Sequence, residues 1–373
     1  MWLYYCLIIY MLISAIFLSV IVKKKRFAFI YIVFTVGLFV FLSMFRSIDV
    51  GNDTVIYTNL FYNLLSVSDL SVYTGRYEVG YLYLNKILSL ISNNHQILFI
   101  VTSLYIYFVV GRFIYKYSNM AWLSVFLFFT LRYFDLSMSG IRQMLAIATI
   151  LLSYDFIIKK KPIKFLICII IASLFHTAAI VFFAAYPLSK YKLNKKLVFV
   201  TTIASLIVLL LFERVLNLLI WLFPRYSYYM NTTYIHGKAK LGIFMGLLVM
   251  AIILVACEIF NKRLIPNKNI KMIENKNTIS LKSREDEIQS VFLLVACAIM
   301  FMALQANIFD RFKNIFGFFS ITYLPNSICK ISDRWIKVLV IICTVILFFT
   351  YLTTIQVFKP EWQSTYPYRF YWN

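Results

Sequence analysis

The sequence predicts an all-α polytopic integral membrane protein. Of its 373 residues, 62% are hydrophobic, 18% are aromatic and only 14% are charged. Soluble domains contain about 45–50% apolar and roughly 25% charged residues, so this composition requires an apolar solvent. Apolar runs of spanning length, separated by short lysine-rich loops, occupy most of the chain. We therefore expect residues 1–373 to form a single transmembrane domain.

About ten apolar runs approach the length of about 20 residues that a helix needs to cross a bilayer. They cover residues 2–22, 27–45, 96–115, 120–136, 141–158, 196–222, 241–260, 288–308, 313–330 and 336–357. Two ambiguous segments, 80–93 and 164–188, raise the possible count to twelve. Residues 80–93 are too short and polar to cross, and we place them in an outer-face segment, 46–95. Residues 261–287 are basic and rich in asparagine, which predicts a flexible cytoplasmic loop.

Residues 164–188 predict a re-entrant hairpin. The segment is long enough for one crossing, but lysines flank both ends, at 159–164 and 190–196. A single crossing would put one cluster on the side that the positive-inside rule disfavours. Re-entrant backbone is tolerated where protein shields it, so a segment that enters and returns accommodates both clusters.

The net charge of +22 reflects membrane topology rather than a nucleic-acid partner. With both termini outside, most lysines lie in cytoplasmic loops, whereas most arginines lie on the outer side, where the topology rule disfavours them. The planar guanidinium group binds phosphate or carboxylate through paired hydrogen bonds. An arginine-rich outer surface therefore predicts an anionic ligand at the outer leaflet.

Several chemistries lack their sequence signatures. The six cysteines stand singly in apolar stretches, and together with three histidines they show no metal-ligand spacing. No phosphate-binding glycine loop, HExxH, GxSxG or DxD motif is present. We therefore expect no metal and no cofactor, and neither a nucleotide-sugar glycosyltransferase nor an ATP-driven pump.

The outer-face segment carries the densest polar motif. Its candidate functional residues are Arg46, Asp49, Asp53, Tyr57, Glu78 and Tyr81. A helix over 52–66 would place Asp53 and Tyr57 on one face and would lie on the membrane surface. Because Asp and Asn favour helix starts, a capping role is an equal alternative for Asp49 and Asn52.

A second motif, Ser-Gly-Ile-Arg-Gln, opens the apolar run 141–158. Arg142 lies above a stripe of small residues, including Ala146 and Thr149, that another helix can approach closely. Gln143 adds a neutral hydrogen-bonding group. The alternative is an arginine that snorkels at a span's end, but snorkelling requires neither the glutamine nor the small stripe.

A third motif, Ser-Leu-Phe-His-Thr at 173–177, lies in the proposed hairpin. An ionisable residue deep in an apolar segment is costly and indicates function. His176 could be a general base or a hydrogen-bond donor to a sugar, with a satisfied core histidine as the alternative. Weaker candidates are Arg225, among aromatic residues in an outer loop, and Arg311, between two apolar runs.

Four motifs, in this order, resemble the EpsG family of polytopic bacterial proteins, which are related to Wzy-type polysaccharide polymerases. They are Arg-Ser-Ile-Asp-Val-Gly-Asn-Asp-Thr-x-x-Tyr at 46–57, Glu-Val-Gly-Tyr at 78–81, Ile-Arg-Gln-x-Leu-Ala at 141–146 and Ser-Leu-Phe-His at 173–176. A weaker likeness continues to the Tyr-Leu-Pro at 323–325. The resemblance implies a topology similar to that of GT-C glycosyltransferases.

The resemblance also implies a reaction, the polymerisation of oligosaccharide repeat units into capsule, exopolysaccharide or O-antigen. Donor and acceptor would both hang from undecaprenyl diphosphate. The growing glycan would pass to the non-reducing end of an incoming unit at the outer face of the bacterial cytoplasmic membrane. Besides the bilayer, a chain-length regulator and a flippase are candidate partners.

Residue roles follow from this chemistry. Arginines stabilise a departing diphosphate without a metal, and the candidates are Arg142, Arg46, Arg311 and, more weakly, Arg225. The candidates for acceptor activation are His176, Asp53 and Glu78, and all three remain open. The candidates for sugar binding or positioning are Gln143, Asp49, Tyr57 and Tyr81. Because no nucleophile motif is visible, we expect single displacement with inversion.

Two other functions would use the same lipid-linked substrate. A flippase should carry arginines along a path through the protein and show pseudo-repeated halves, and neither pattern is visible. A polysaccharide ligase shares the donor and differs only in its acceptor, so the sequence does not separate it from a polymerase.

Overall fold

A computed structural model describes residues 2–67, 69–222, 227, 240–263 and 276–372. These residues form α-helices joined by short turns, and the β-type pairing within them is an isolated bridge between Arg46 and Phe370. The all-α fold that the composition predicts is confirmed.

The helices are numbered in chain order. The first nine are α1 (Trp2–Ile21), α2 (Lys24–Met44), α3 (Thr54–Ser66), α4 (Val79–Ile91), α5 (Gln96–Tyr117), α6 (Ala121–Thr130), α7 (Tyr133–Ser139), α8 (Ile141–Ile158) and α9 (Pro162–Phe175). The others are α10 (Ala185–Leu188), α11 (Lys195–Leu210), α12 (Phe212–Leu222), α13 (Lys240–Arg263), α14 (Lys276–Ala303), α15 (Asp310–Gly317), α16 (Ser320–Cys329) and α17 (Arg334–Phe358). Short 3-10 turns lie at Leu70–Tyr73, Thr177–Ala184, Asn307–Phe309 and Pro360–Trp362.

Seven of the described helices are long and apolar enough to cross a membrane: α1, α2, α5, α8, α13, α14 and α17. Two bent pairs, α6 with α7 at 55° and α11 with α12 at 84°, raise the count to nine if each pair is one span. The predicted run 313–330 is divided between α15 and α16, which are both too short. Gly317 ends α15, and glycine is costly inside a helix. The polytopic membrane fold is confirmed, whereas ten crossings remain a prediction.

Apolar side chains on the spanning helices remain exposed on the protein surface. In the most hydrophobic stretch of α17 only 22% of the residues are buried inside the protein. Trp335, Leu339 and Ile346 of this helix are among the exposed ones. Water would solvate such a surface poorly, whereas lipid chains solvate it well, which agrees with a position in the bilayer.

The chain divides into two compact units that alternate along the sequence. Unit 1 contains Met1–Ser153, Ile170–Thr177 and Asp333–Asn373, and unit 2 contains Tyr154–Ile169 and Ala178–Ser332. Each unit has its own aromatic core. In unit 1 the rings of Phe39 and Phe134 lie 4.9 Å apart, and in unit 2 Phe182 stacks on Phe319 at 5.8 Å. The single transmembrane domain expected from composition remains a prediction.

In unit 1 the predicted outer-face segment contains two short helices that pack together, α3 and α4. α3 buries Tyr57, Leu60 and Phe61 whereas Val55 is exposed, and its position on the membrane surface remains a prediction. The ammonium group of Lys86 on α4 donates a 2.8 Å hydrogen bond to the carbonyl oxygen of Leu64. This bond satisfies one of the free carbonyl groups at the end of α3.

The predicted cytoplasmic loop at 261–287 overlaps the end of α13 and the start of α14, and its flexibility and its side of the membrane remain predictions. Residues 276–287 are helical and continue without a break into the apolar part of α14. Once a helix is nucleated, each further residue adds one hydrogen bond, so polar residues extend it past the apolar run. Residues 264–275 of the predicted loop lie outside the described residues.

The predicted hairpin is interrupted at His176, which separates α9 from the following 3-10 turn. Its two flanks contact neighbouring turns of α14. Arg284 donates to the carbonyl oxygen of Ile157 at 3.4 Å. Lys192 pairs with Glu287 at 2.8 Å. Both flanks therefore lie at the same end of α14, as a hairpin requires, and the membrane side on which they lie remains a prediction.

Candidate functional site

Glu78 lies at the centre of a polar cluster in unit 1. It immediately precedes α4 and is buried. α4 can approach α9 closely because Gly80 lies on the face of α4 that meets Leu174 of α9. A Cβ atom at Gly80 would lie 2.7 Å from Leu174 Cβ and 2.8 Å from the Leu174 carbonyl oxygen. Glycine in the Glu-Val-Gly-Tyr motif therefore allows Glu78 to reach the turn that follows α9.

Both carboxylate oxygens of Glu78 have partners. Oε2 accepts a 2.7 Å hydrogen bond from Nη1 of Arg142, the second residue of α8. Oε1 accepts hydrogen bonds from the Thr177 backbone N–H and hydroxyl, each at 3.2 Å. The same oxygen lies 3.6 Å from Nδ1 of His176. Three sequence motifs that are distant along the chain thus meet at one carboxylate.

Two tyrosine rings lie close to the Arg142 guanidinium group. Its Cζ lies 5.2 Å from the ring centroid of Tyr77 and 5.7 Å from that of Tyr57. The ring of Tyr57 also meets Tyr81 edge to face, with 5.5 Å between the centroids. Because aromatic faces attract cations, the rings help to hold the guanidinium group in one position.

The Arg142–Glu78 ion pair is largely withdrawn from water. The Arg142 side chain is 18% exposed and that of Glu78 is 7% exposed. In such surroundings the loss of one partner leaves an uncompensated charge, which is costly. Burial raises the pKa of the Tyr77 phenol above its ordinary value, and the charges of Arg76 and Arg142 oppose this shift. Tyr77 therefore stays neutral at physiological pH.

Two of the predicted site arginines, Arg142 and Arg46, offer donors that an anion could use. Nε of Arg142 and Nε of Arg46 are buried and have no hydrogen-bond acceptor among the described residues. Buried polar groups without partners are rare in native proteins and call for an explanation such as a ligand or a water molecule.

Arg46 is almost fully buried and is held by the protein itself. Its Nη1 donates to the carbonyl oxygen of Ser43, and its Nη2 donates to that of Met138 at 3.2 Å. Its Cζ lies 4.1 Å from the ring centroid of Phe99. Burial lowers the pKa of Arg46 to about 10, so the side chain remains charged at physiological pH. Its contacts in the structure thus join the ends of α2 and α7.

The remaining unit 1 candidates have different surroundings. Asp53 lies just before α3 and accepts a 3.3 Å hydrogen bond from the Tyr57 hydroxyl, which links it to the cluster. Asp49 is exposed, and its carboxylate accepts a 3.5 Å hydrogen bond from Ser47. Gln143 is buried directly after Arg142. Neither Asp53 nor Asp49 caps a helix through its side chain.

Of the two other predicted arginines, one belongs to unit 2. Arg311 is the second residue of α15 in unit 2, beside an ion pair between Lys313 and Asp310 at 3.2 Å. Arg225 lies outside the described residues. Their assignment to a diphosphate remains a prediction. Among the described residues, no group of three or more His, Cys, Asp or Glu side chains is placed to hold a metal ion.

Tyr77 and Thr177 complete the cluster but are not among the predicted site residues, although Thr177 belongs to the third motif. Their signal is adjacency, since one precedes Glu78 and the other follows His176. A buried network in unit 1 is also missed. There Arg132 Nε pairs with Asp135 at 2.7 Å, and the Tyr4 hydroxyl donates to the same carboxylate at 2.5 Å. A charged pair within an apolar run is the signal that could have revealed it.

These features define a polytopic membrane protein with a carboxylate-held arginine beside aromatic rings. The family model of the EpsG family matches residues 29–370, so the chain belongs to the EpsG family. The resemblance that four motifs predict is confirmed. Membership supports a polysaccharide polymerase-like role and a glycosyltransferase-type activity. No curated protein and no solved structure matches the chain significantly.

Proposed function

We propose that this protein polymerises oligosaccharide repeat units linked to undecaprenyl diphosphate, at the outer face of the bacterial cytoplasmic membrane. The observation that supports this most directly is Arg142, held by Glu78 and close to the rings of Tyr57 and Tyr77. A cation that is fixed before the substrate binds does not have to reorganise as negative charge develops on a leaving group. Such a cation suits the departure of a lipid diphosphate without a metal.

Arg142 is the principal diphosphate ligand in this mechanism. Its Nη1 remains on Glu78, while its Nε–H donates to a phosphate oxygen. Arg46 adds positive potential from its buried position and offers a second Nε–H donor. Arg311 and Arg225 are further candidates for the same ligand. Guanidinium groups suit this task because they keep their charge and hydrogen bond in a fixed geometry.

His176 is the proposed general base. When it takes the proton of the acceptor hydroxyl, the resulting imidazolium lies beside Glu78, whose Oε1 is 3.6 Å from Nδ1. The carboxylate stabilises this new positive charge. Asp53, linked to the cluster through Tyr57, is the alternative base. Glu78 is less suited to that role because both of its oxygens already accept hydrogen bonds.

The transfer is a single displacement. The acceptor hydroxyl oxygen bonds to the anomeric carbon of the donor glycan, and the bond from that carbon to the phosphate oxygen breaks. The electron pair leaves with undecaprenyl diphosphate, and the proton passes to His176. One displacement inverts the anomeric centre. Gln143, Asp49, Tyr57 and Tyr81 are the candidates for holding the sugars in line.

The test is incubation of the purified protein with lipid-linked repeat units, without added metal or nucleotide. We expect a ladder of longer lipid-linked glycans from the wild type and none from Arg142→Ala. Arg76→Ala is the matched control, because Arg76 is exposed and its Cζ lies 5.6 Å from the ring centroid of Tyr77. A wild type that translocates the lipid without chain growth, or transfers the glycan to a different acceptor, would contradict the polymerase.

A further inference from the structure

The C-terminal tail, residues 359–372, pairs with the first site motif in unit 1. The Ser47 backbone N–H donates to the carbonyl oxygen of Arg369 at 2.9 Å. The Gly51 N–H donates to that of Ser364 at 2.8 Å. Main-chain hydrogen bonds of this kind hold two segments in a fixed register, so the tail and the motif form one packed layer.

Two side chains extend this pairing towards the site. Asn52 donates from Nδ2 to the carbonyl oxygen of Trp362 at 2.8 Å. The hydroxyl of Ser139, the last residue of α7, donates to the side-chain oxygen of Gln363. Ser139 precedes Arg142 by less than one helical turn. The tail therefore contacts the chain immediately before the start of α8.

Gly51 allows the motif at 46–57 to approach the turn between α7 and α8. Its φ is +106°, a conformation that favours glycine. A Cβ atom at Gly51 would lie 2.9 Å from the Cα of Ser139 and 3.0 Å from the carbonyl oxygen of Met138. The backbone of the motif thus rests directly against the turn between α7 and α8, and the tail packs on both.

We propose that the C-terminal tail is a positioning element for the site and that Gln363 is its positioning residue. Through Ser139 it sets where α8 begins and therefore where Arg142 meets the diphosphate, an assignment that rests on the proposed function. A displacement of about 1 Å at a reacting group can lower a rate about 10²-fold. The family match extends to residue 370 and so includes most of the tail.

The expected kinetic effect is specific. Undecaprenyl diphosphate carries the charge that develops on the leaving group, so it probes the same contacts as the transition state. Gln363→Leu should lower kcat and weaken undecaprenyl diphosphate binding by a similar factor, about tenfold for one lost hydrogen bond and a shifted helix start. The KM for the donor should change little. Gln363→Glu, which keeps an acceptor oxygen, should restore much of both.

The experiment measures binding of undecaprenyl diphosphate and chain extension for the full-length wild type, both Gln363 variants and Ser139→Ala. Ser139→Ala should reproduce the effect of Gln363→Leu. The double variant with both substitutions should have no lower kcat and no weaker undecaprenyl diphosphate binding than either single variant. Glu361→Gln is the control, because the Glu361 carboxylate is exposed and lies 3.7 Å from Lys359 Nζ. It should behave as wild type.

The outcomes distinguish failure of the positioning role of the tail from failure of the proposed polymerase function. Wild-type kcat and affinity in Gln363→Leu would overturn the positioning role and leave the proposed function intact. Fewer binding sites with unchanged affinity would overturn it as well, since that result indicates loss of folded protein. If the wild type binds undecaprenyl diphosphate but extends no glycan, the polymerase fails and the affinities alone decide the role of the tail. A wild type that does not bind undecaprenyl diphosphate overturns both.

Discussion

Replacing Glu78 by glutamine should disable the site while almost preserving its volume. The amide oxygen can still accept hydrogen bonds from Thr177, but Arg142 loses its countercharge where its side chain is only 18% exposed. Breaking a buried ion pair from one side costs 3–5 kcal/mol, and partial exposure reduces the cost here to about 2 kcal/mol of folding stability. The unfolding temperature in detergent should therefore fall.

The same substitution should lower kcat. Once the carboxylate no longer holds it, the Arg142 guanidinium group must be ordered during the reaction. A loss of about 2–3 kcal/mol of transition-state stabilisation corresponds to a rate lowered about 30- to 150-fold. The rate of ladder formation at saturating lipid-linked substrate measures this loss directly.

A double-mutant cycle with Arg142→Gln tests the reasoning. The double variant has no unpaired charge, so it should unfold at a higher temperature than Glu78→Gln while remaining inactive. Glu361→Gln, on an exposed pair, should have no measurable effect. If the two site substitutions were additive to within about 0.3 kcal/mol, the ion pair would not organise the site, and the argument would be refuted.

Three further outcomes are expected. His176→Gln should lower kcat about 10²-fold or more with undecaprenyl diphosphate binding unchanged, because it removes the base but no phosphate donor; an equal loss of binding would exclude that role. Burial, aided by the charge of Arg46, lowers the pKa of His95, so the folded state binds this proton less well than the unfolded state. The unfolding temperature should therefore decline as the pH falls from about 6.5 to the lowered pKa of His95. His95→Gln should remove that part of the decline. If the variant and the wild type had the same pH profile, this assignment to His95 would be contradicted. Gly80→Ala should cost about 1–3 kcal/mol through overlap with Leu174, and an unchanged unfolding temperature would contradict the close approach.

The membrane class could be predicted because long apolar runs have one solvent in which they are stable. The bends between helices could not. At the junction of α6 and α7, Arg132 has a left-handed φ of 67°, and its partner Asp135 also accepts a hydrogen bond from Tyr4 of α1. A non-glycine residue in this conformation is held there by tertiary contacts, which a hydropathy pattern does not contain.

The site could be predicted residue by residue but not as an arrangement. Glu78, Arg142 and His176 stand out because polar groups in apolar surroundings need a reason. Their partnership depends on the approach of α4 to α9, and the role of Gly80 becomes evident only beside Leu174. Local spacing within each motif carries no information about a contact between motifs that are distant along the chain.

The shared carboxylate also explains how an apolar protein can keep a cation ready for an anionic substrate. An arginine alone would be costly while the site is empty, and a carboxylate alone would repel the diphosphate. Glu78 balances Arg142 before binding. In the proposed transfer, negative charge moves onto the leaving diphosphate as His176 becomes an imidazolium on the other oxygen of the same carboxylate. Each new charge thus forms beside an opposite one, so its stabilisation does not depend on water reaching the site.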